Sequence, residues 1–114
     1  MYNRMKEKIS LYAIPGIEEA EDITQIIDRT VSEVMEIPVE MLRKRTNQRN
    51  IVYPRHLAMF FYQRKTRMSY SEIGENFGGF DHSTVIHAIK NVNNLRETDP
   101  EFRQKFEKIK NKIL

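Results

Sequence analysis

Two consecutive glycines, Gly78 and Gly79, divide the second half of this chain into two segments that are each helical by pattern. Glycine reaches positive φ without a Cβ clash, so the pair can end one helix and turn the chain into the next. Before it, Ser69 and Glu72 have the S-x-x-E spacing of a capping box opening a short helix. Ile73 and Phe77, four apart, share that helix's buried face. After it, Asp81 or Ser83 can cap a second helix, since a short side-chain oxygen accepts from the free backbone N–H groups of a first turn. Two helices joined by so short a turn read as a helix-turn-helix.

The second helix separates its residues by face. At about 100° per residue, Val85, Ala88, Ile89 and Val92 fall on one side and Ser83, His87, Lys90 and Asn94 on the other. A helix that reads DNA needs this division, one stripe packing on the domain and the other meeting base edges and phosphates. A polar stripe is also what any solvated helix shows, so the charge distribution has to discriminate.

The net charge is only +3, but it is unevenly placed. Residues 1–42 hold four Lys/Arg against nine Asp/Glu, residues 43–67 hold eight Lys/Arg and no acid, and residues 68–114 hold seven of each. A basic block free of acids, directly before a helix-turn-helix, is an electrostatic footprint for a polyanion rather than a merely solvated face. Within it, Arg43 to Tyr53 reads as a loop in which Arg43, Lys44, Arg45 and Arg49 alternate with Thr46, Asn47, Gln48 and Asn50. Such a loop can follow phosphates or enter a narrow minor groove. Pro54 is expected to open the next helix, to about Thr66, placing Arg55 and His56 in a first turn whose free N–H groups favour phosphate. Leu57, Ala58 and Phe61 form its core stripe, and the run Met59-Phe60-Phe61 reads as packing rather than a cofactor box.

The remaining segments supply the scaffold. Residues 1–21 are expected to be an N-terminal tail or short helix, with turn chemistry at Ile14-Pro15-Gly16, and residues 22–114 the domain proper. Ile23, Ile26, Ile27, Val31 and Val34 repeat at helical spacing from Asp22 to Glu36, with Asp22 as N-cap. Pro38 ends that helix and starts a short one over Val39–Arg43, anchored by Met41 and Leu42. Asp99-Pro100 is a cap followed by a first-turn proline, opening a last helix with Phe102, Phe106, Ile109 and Ile113 on one face. The fold class is all-α, a multi-helix domain containing a helix-turn-helix.

Several functions are disfavoured. The chain has 114 residues and no cysteine, so there is no disulfide framework or thiolate metal site. No signal peptide and no apolar run of about 18 residues is found, so nothing is expected to span a membrane, and the lack of cysteine is compatible with the reducing cytoplasm in which we expect the chain. His82 and His87 are five apart, not the four that puts two ligands on one helical face, so no metal is expected. Asp81 beside His82 is no triad, because adjacent helical residues diverge by about 100°, and no nucleophile accompanies them. We expect no catalytic residues, no enzyme and no cofactor. A phosphate-cradling G-x-x-x-x-G-K-[ST] run is missing, so no nucleotide binding is expected.

The stretch Gly78-Gly79-Phe80-Asp81-His82-Ser83-Thr84-Val85-Ile86-His87-Ala88 resembles the signature G-G-R-D-H-T-T-V-x-H-A of the C-terminal DNA-binding domain of DnaA, the bacterial chromosomal replication initiators. Tyr53-Pro54-Arg55-His56-Leu57-Ala58-Met59 resembles that family's R-P-R-Q-x-A-M, and S-E-I-G-E-N-F-G-G around Ile73 is a third match; the likeness covers about Ile23 to Ile113. It implies an all-helical domain that binds a short asymmetric box in double-stranded DNA, with other replication initiation proteins as partners. By position, Asp81, His82, Ser83 and Thr84 would meet bases in the major groove, followed along the outer face by His87 and Lys90. Arg55 and His56 would hold phosphates, and Arg49, with Arg45 and Asn47 of the basic loop, would lie in or near the minor groove.

Four positions depart from the family by losing a cation: Phe80 and Tyr53 each replace Arg, Asn47 stands where a minor-groove Arg is usual, and Gln63 where Lys often contacts phosphate. Each lost phosphate contact would shallow the salt dependence of binding by about 0.9. The family's ATPase domain has no counterpart, so the expectation is a box-reading module, free-standing or part of a longer protein. The competing reading is a protein-protein interaction module that kept the fold and lost specific DNA binding. Phe80 favours that reading, and the acid-free basic block opposes it.

Overall fold

The computed structural model describes residues 21–114. Their elements run α1 (Ile23–Met35), a 3₁₀ turn (Val39–Arg43), α2 (Arg49–Lys65), α3 (Tyr70–Asn76), α4 (His82–Thr98) and α5 (Pro100–Ile113), with no strand among the described residues. The expected tail lies outside the described residues except for Glu21, whose carboxylate accepts from Arg29 Nη2 at 2.7 Å and Nε at 3.0 Å.

Local chemistry sets most boundaries. Asp22 Oδ1 accepts from the Thr24 N–H at 2.9 Å while Gln25 Oε1 accepts from the Asp22 N–H at 2.9 Å, closing a capping box at the start of α1. Glu36 ends α1 in the left-handed region at φ 60. Asp99 Oδ1 accepts from Glu101 and Phe102 N–H groups at 3.1 and 3.2 Å, and Pro100 follows as the first residue of α5. Among the described residues no helix is long and apolar enough to cross a membrane.

The start of α2 differs from the expectation. The helix begins at Arg49, not Pro54, and Pro54 sits inside it, buried. The Ile51 and Val52 N–H groups both donate to Gln48 O, at 3.0 and 2.8 Å, so the turn is already formed before the proline. A proline there gives up the bond that its own N–H would have made and crowds the carbonyl four residues back, that of Asn50. Burial of Ile51 and Pro54 against the core outweighs the usual bias of a pre-proline residue away from helix. Arg55 and His56 therefore lie a turn or more inside α2, and Arg49 and Asn50 occupy its first turn.

α2 is the central element. Leu57 to Tyr62 are all at most 2% exposed, because α1, the 3₁₀ turn, α3 and α4 pack on α2 and Phe106 of α5 closes over Phe60 and Phe61. Phe106 of α5 stacks on Phe61 at 5.1 Å between ring centroids and meets Phe60 edge-on at 5.2 Å. α3 contributes Ile73 and, just past its end, Phe77; α4 contributes Val85, Ala88 and Val92; each is fully buried. Ile89 packs partly buried beside them. At about 1.5–3 kcal/mol for each large apolar side chain removed from water, this cluster fixes the hairpin α3–α4 onto α2.

Candidate nucleic-acid interface

The turn between α3 and α4 is built backwards onto α3. Gly78 and Gly79 take φ 105 and 90, as their spacing requires. The Gly79 and Phe80 N–H groups both donate to Gly74 O at 3.0 Å. The carbonyl of Phe80 then lies where a Cβ on Gly74 would be, 1.8 Å from its ideal position, so only glycine fits inside α3 at that point. Gly74 escaped the sequence reading, although an isolated glycine in a helical pattern signals such a close approach.

Asp81, not Ser83, caps α4. Its Oδ1 accepts from the Thr84 N–H at 3.0 Å. That hydrogen bond, and then one from the Ser83 hydroxyl, hold its carboxyl below the usual carboxylate range. With Asp81 engaged as the cap, His82, Ser83 and Thr84 form the exposed first turn of α4, and His87 and Lys90 continue the exposed face. The expected division of α4 therefore holds, with small polar groups outward at its N-terminal end and apolar groups inward.

The basic loop reaches the same place from the other side. Arg45 Nη1 donates to Gly78 O at 3.4 Å, and its guanidinium lies over the Phe80 ring, 4.2 Å from the centroid. Arg55, only 6% exposed, lies over the same ring at 4.7 Å. Its Nη1 donates to Lys44 O at 2.7 Å and its Nη2 to Thr46 O at 3.4 Å. Burial lowers the Arg55 pKa and the Arg45 charge lowers it further, yet a guanidinium stays protonated at any physiological pH. Asn47 is exposed and lines, with Arg45, Thr46, Arg55 and Phe80, a shallow cavity of about 300 Å³. Arg49 is exposed at the first residue of α2.

Two residues of the basic block face inward. Arg43 Nη1 pairs with Asp28 Oδ2 at 3.0 Å, its Nε donates to Asn76 O at 3.0 Å, its Nη2 donates to the Tyr62 hydroxyl at 3.0 Å and to Asn76 Oδ1, and it lies over Phe77 at 4.6 Å. The Tyr62 hydroxyl in turn donates to Asp28 Oδ1 at 2.9 Å. Burial pushes both the Asp28 carboxyl and the Tyr62 phenol up, so this cluster needs its cation. Arg43 therefore joins α1, α2 and α3, and Arg55 holds the loop, while Lys44, Arg45 and Arg49 remain outward.

His56 meets the recognition helix rather than open solvent. Its Nδ1 is 3.0 Å from Asn91 Nδ2 on α4. Burial, and then the Arg55 charge, bring its pKa down to about 4, so the ring is neutral and Nδ1 accepts from the Asn91 amide. Asn91 was not singled out in the sequence, since only the packing of α2 on α4 gives it a partner. Among the described residues no three His, Asp or Glu side chains cluster as metal ligands.

These features define an all-helical helix-turn-helix module whose recognition helix starts beside a cationic loop. The family model for the bacterial DnaA protein helix-turn-helix matches residues 23–92, and the chain belongs to that family. It is similar to the chromosomal replication initiator protein DnaA of Geobacter sp. (strain M21), 39% identical over 85% of this chain and 21% of the relative. For the DnaA of Flavobacterium psychrophilum the figures are 40%, 76% and 18%, and for that of Wolbachia pipientis wMel 39%, 74% and 18%. The chain thus spans about one fifth of the length of these relatives.

Proposed function

We propose that this chain binds double-stranded DNA sequence-specifically at a DnaA-box-like site, and that it serves chromosome replication initiation or its regulation in the cytoplasm. The observation that carries the reading is the convergence of two chemistries at one turn. The exposed first turn of α4, His82-Ser83-Thr84, lies next to a turn whose Gly78 carbonyl and Phe80 ring hold Arg45. Groups that can read base edges thereby stand beside a cation suited to the flanking backbone or narrow groove.

In this reading α4 enters the major groove by its N-terminal end, the end that reaches furthest in helix-turn-helix docking. His82 donates to guanine N7 or O6 or presents its ring to a thymine methyl, and Ser83 and Thr84 donate or accept. His87 and Lys90 follow the groove towards its wall. Arg45, Asn47 and Arg49 meet phosphates or the minor groove. Arg55 supports them by fixing the backbone of Lys44 and Thr46, and His56 supports α4 through Asn91. Asp81 contributes by capping, which leaves the first-turn N–H groups of α4 ordered. Replication initiation proteins are the partners this reading implies.

The test begins with selection of bound duplexes from a random pool at two salt concentrations. The selected box and a scrambled duplex of equal length are then titrated with the wild-type chain and with His82→Ala/Ser83→Ala. The double change should weaken box binding by ~1–3 kcal/mol per lost base contact while binding to the scrambled duplex survives. Thermal stability should stay within about 0.5 kcal/mol of wild type, because the cap is Asp81 and neither side chain is buried. An unchanged affinity ratio would show that these residues do not read sequence.

A further inference from the structure

Phe80 looks at first like a loss, an aromatic where the resembling family carries a cation. Its surroundings give it a different task. Its backbone is fixed on α3 by the N–H bond to Gly74 O at 3.0 Å and by the close approach of its own carbonyl to Gly74. Its ring is therefore a platform set by the helix-turn-helix itself. Two guanidinium groups lie over that platform, Arg45 at 4.2 Å and Arg55 at 4.7 Å from its centroid. A guanidinium over a ring face is held by the ring quadrupole while its N–H edge stays available to other acceptors.

The two arginines use those edges differently. Arg55 is buried and turns its edge to the carbonyls of Lys44 and Thr46, which flank Arg45 in the chain. Arg45 is exposed, and among the described residues its hydrogen bond is a long one, 3.4 Å to Gly78 O. The order of dependence is thus Gly74, Phe80 backbone, Phe80 ring, Arg55 and the loop backbone, and last Arg45. An exposed arginine samples many rotamers, so one that is already stacked loses less conformational freedom on meeting DNA.

We infer that Phe80 is a positioning residue for DNA recognition: it holds Arg45, directly and through Arg55, so that a cation from the basic loop is preset beside the start of the recognition helix. The inference rests on the DNA-binding reading above. It also reverses the simple expectation for restoring the family's residue. Arg at position 80 would bring a third positive charge to a place where two already lie within 5 Å of one ring. Like charges at that range repel and would release Arg45 from the turn.

The experiment is a double-mutant cycle on the full chain, with the selected duplex and its scrambled counterpart as probes. Phe80→Ala and Arg45→Ala should each weaken binding to the selected duplex ~10-fold, and the double variant should fall ~10–20-fold rather than the ~100-fold of independent sites. Phe80→Tyr should stay within ~2-fold of wild type, because it keeps the ring. Phe80→Leu should fall with Phe80→Ala at an unchanged Tm, because it keeps apolar volume without the π face. Phe80→Arg should narrow the ratio between selected and scrambled duplexes instead of widening it. Multiplying single effects, or Phe80→Leu binding like wild type, overturns the positioning role while leaving sequence-specific binding intact. A wild-type chain that prefers no duplex overturns both the functional reading and this inference.

Discussion

The hairpin α3–α4 and the basic loop leading into α2 meet at Phe80, yet they assign their side chains by different physics. In the hairpin, direction follows from helical geometry. Once Gly78 and Gly79 make the turn and Asp81 caps α4, the 3.6-residue period puts Val85, Ala88 and Val92 inside and His82, Ser83, His87 and Lys90 outside. In the basic block, which runs from the 3₁₀ turn through a short loop into α2, no apolar period assigns the arginines, and a guanidinium turns inward only where an acceptor or a ring receives it. Arg43 finds Asp28, Asn76 and Phe77; Arg55 finds two carbonyls and Phe80; Arg49 remains exposed. Formal charge along the sequence therefore overstates the cationic surface, since two of the eight basic residues of 43–67 are tertiary struts.

The largest expected effect strikes the hairpin. Gly74→Ala places a Cβ 1.8 Å from the Phe80 carbonyl oxygen, a backbone atom that cannot swing aside. The turn must move by more than an atomic radius or lose both bonds to Gly74 O. We expect destabilisation of about 3 kcal/mol or more, the range of severe overpacking, measured by urea denaturation. Box binding should fail with it. A Gly74→Ala chain of wild-type stability would mean that α3 and the turn are not locked together.

Next comes the contrast between two arginines of the basic block. Arg43→Ala removes the cation facing Asp28 and the bond to Asn76 O, and should cost about 2–3 kcal/mol, discounted from the 3–5 of a fully buried pair because Arg43 is partly exposed. Arg49→Ala should change stability by less than about 0.5 kcal/mol while reducing the salt slope of DNA binding by ~0.9. The same chemical change thus separates into a folding effect at one site and a binding effect at the other. Equal stability losses would erase the distinction between strut and contact.

The extent to which the molecule is legible in its sequence follows the same line. The caps at Asp22, Ser69 and Asp99, the Gly-Gly turn and the inner stripes of α4 and α5 obey local rules, and they stand as expected. The early start of α2 was hidden because R-N-I-V-Y-P has no apolar period and a proline usually marks a beginning. The inward turn of Arg43 depends on Asp28 and Asn76, 15 and 33 residues away, a relation that no local pattern carries. In the sequence Phe80 shows only an absent cation, because its value as a ring depends on two arginines that only the tertiary fold delivers.

The effect that only a pH change exposes lies where α2 meets α4, at His56 and Asn91. The neutral ring accepts the Asn91 amide, and protonation would set a second N–H against that donor in a largely buried place. The folded pKa, about 4, is below the unfolded value near 6.5. Between those two values the unfolded chain binds the proton and the folded chain does not. The stabilisation is therefore complete above about pH 6.5 and is lost as pH falls towards 4, by on the order of 3 kcal/mol. Groups with carboxyls held low, Glu21 and Asp81, lose their contribution only at more acidic pH, and Asp28, whose pKa is raised, changes in the opposite sense. His56→Gln cannot titrate, so the difference in unfolding free energy between wild type and this variant isolates the histidine. It should shift steadily in the variant's favour from pH 6.5 down to 4.5. A difference that stays constant over that range would mean that the imidazole is free to protonate in the folded domain, and that α2 and α4 are not joined through it.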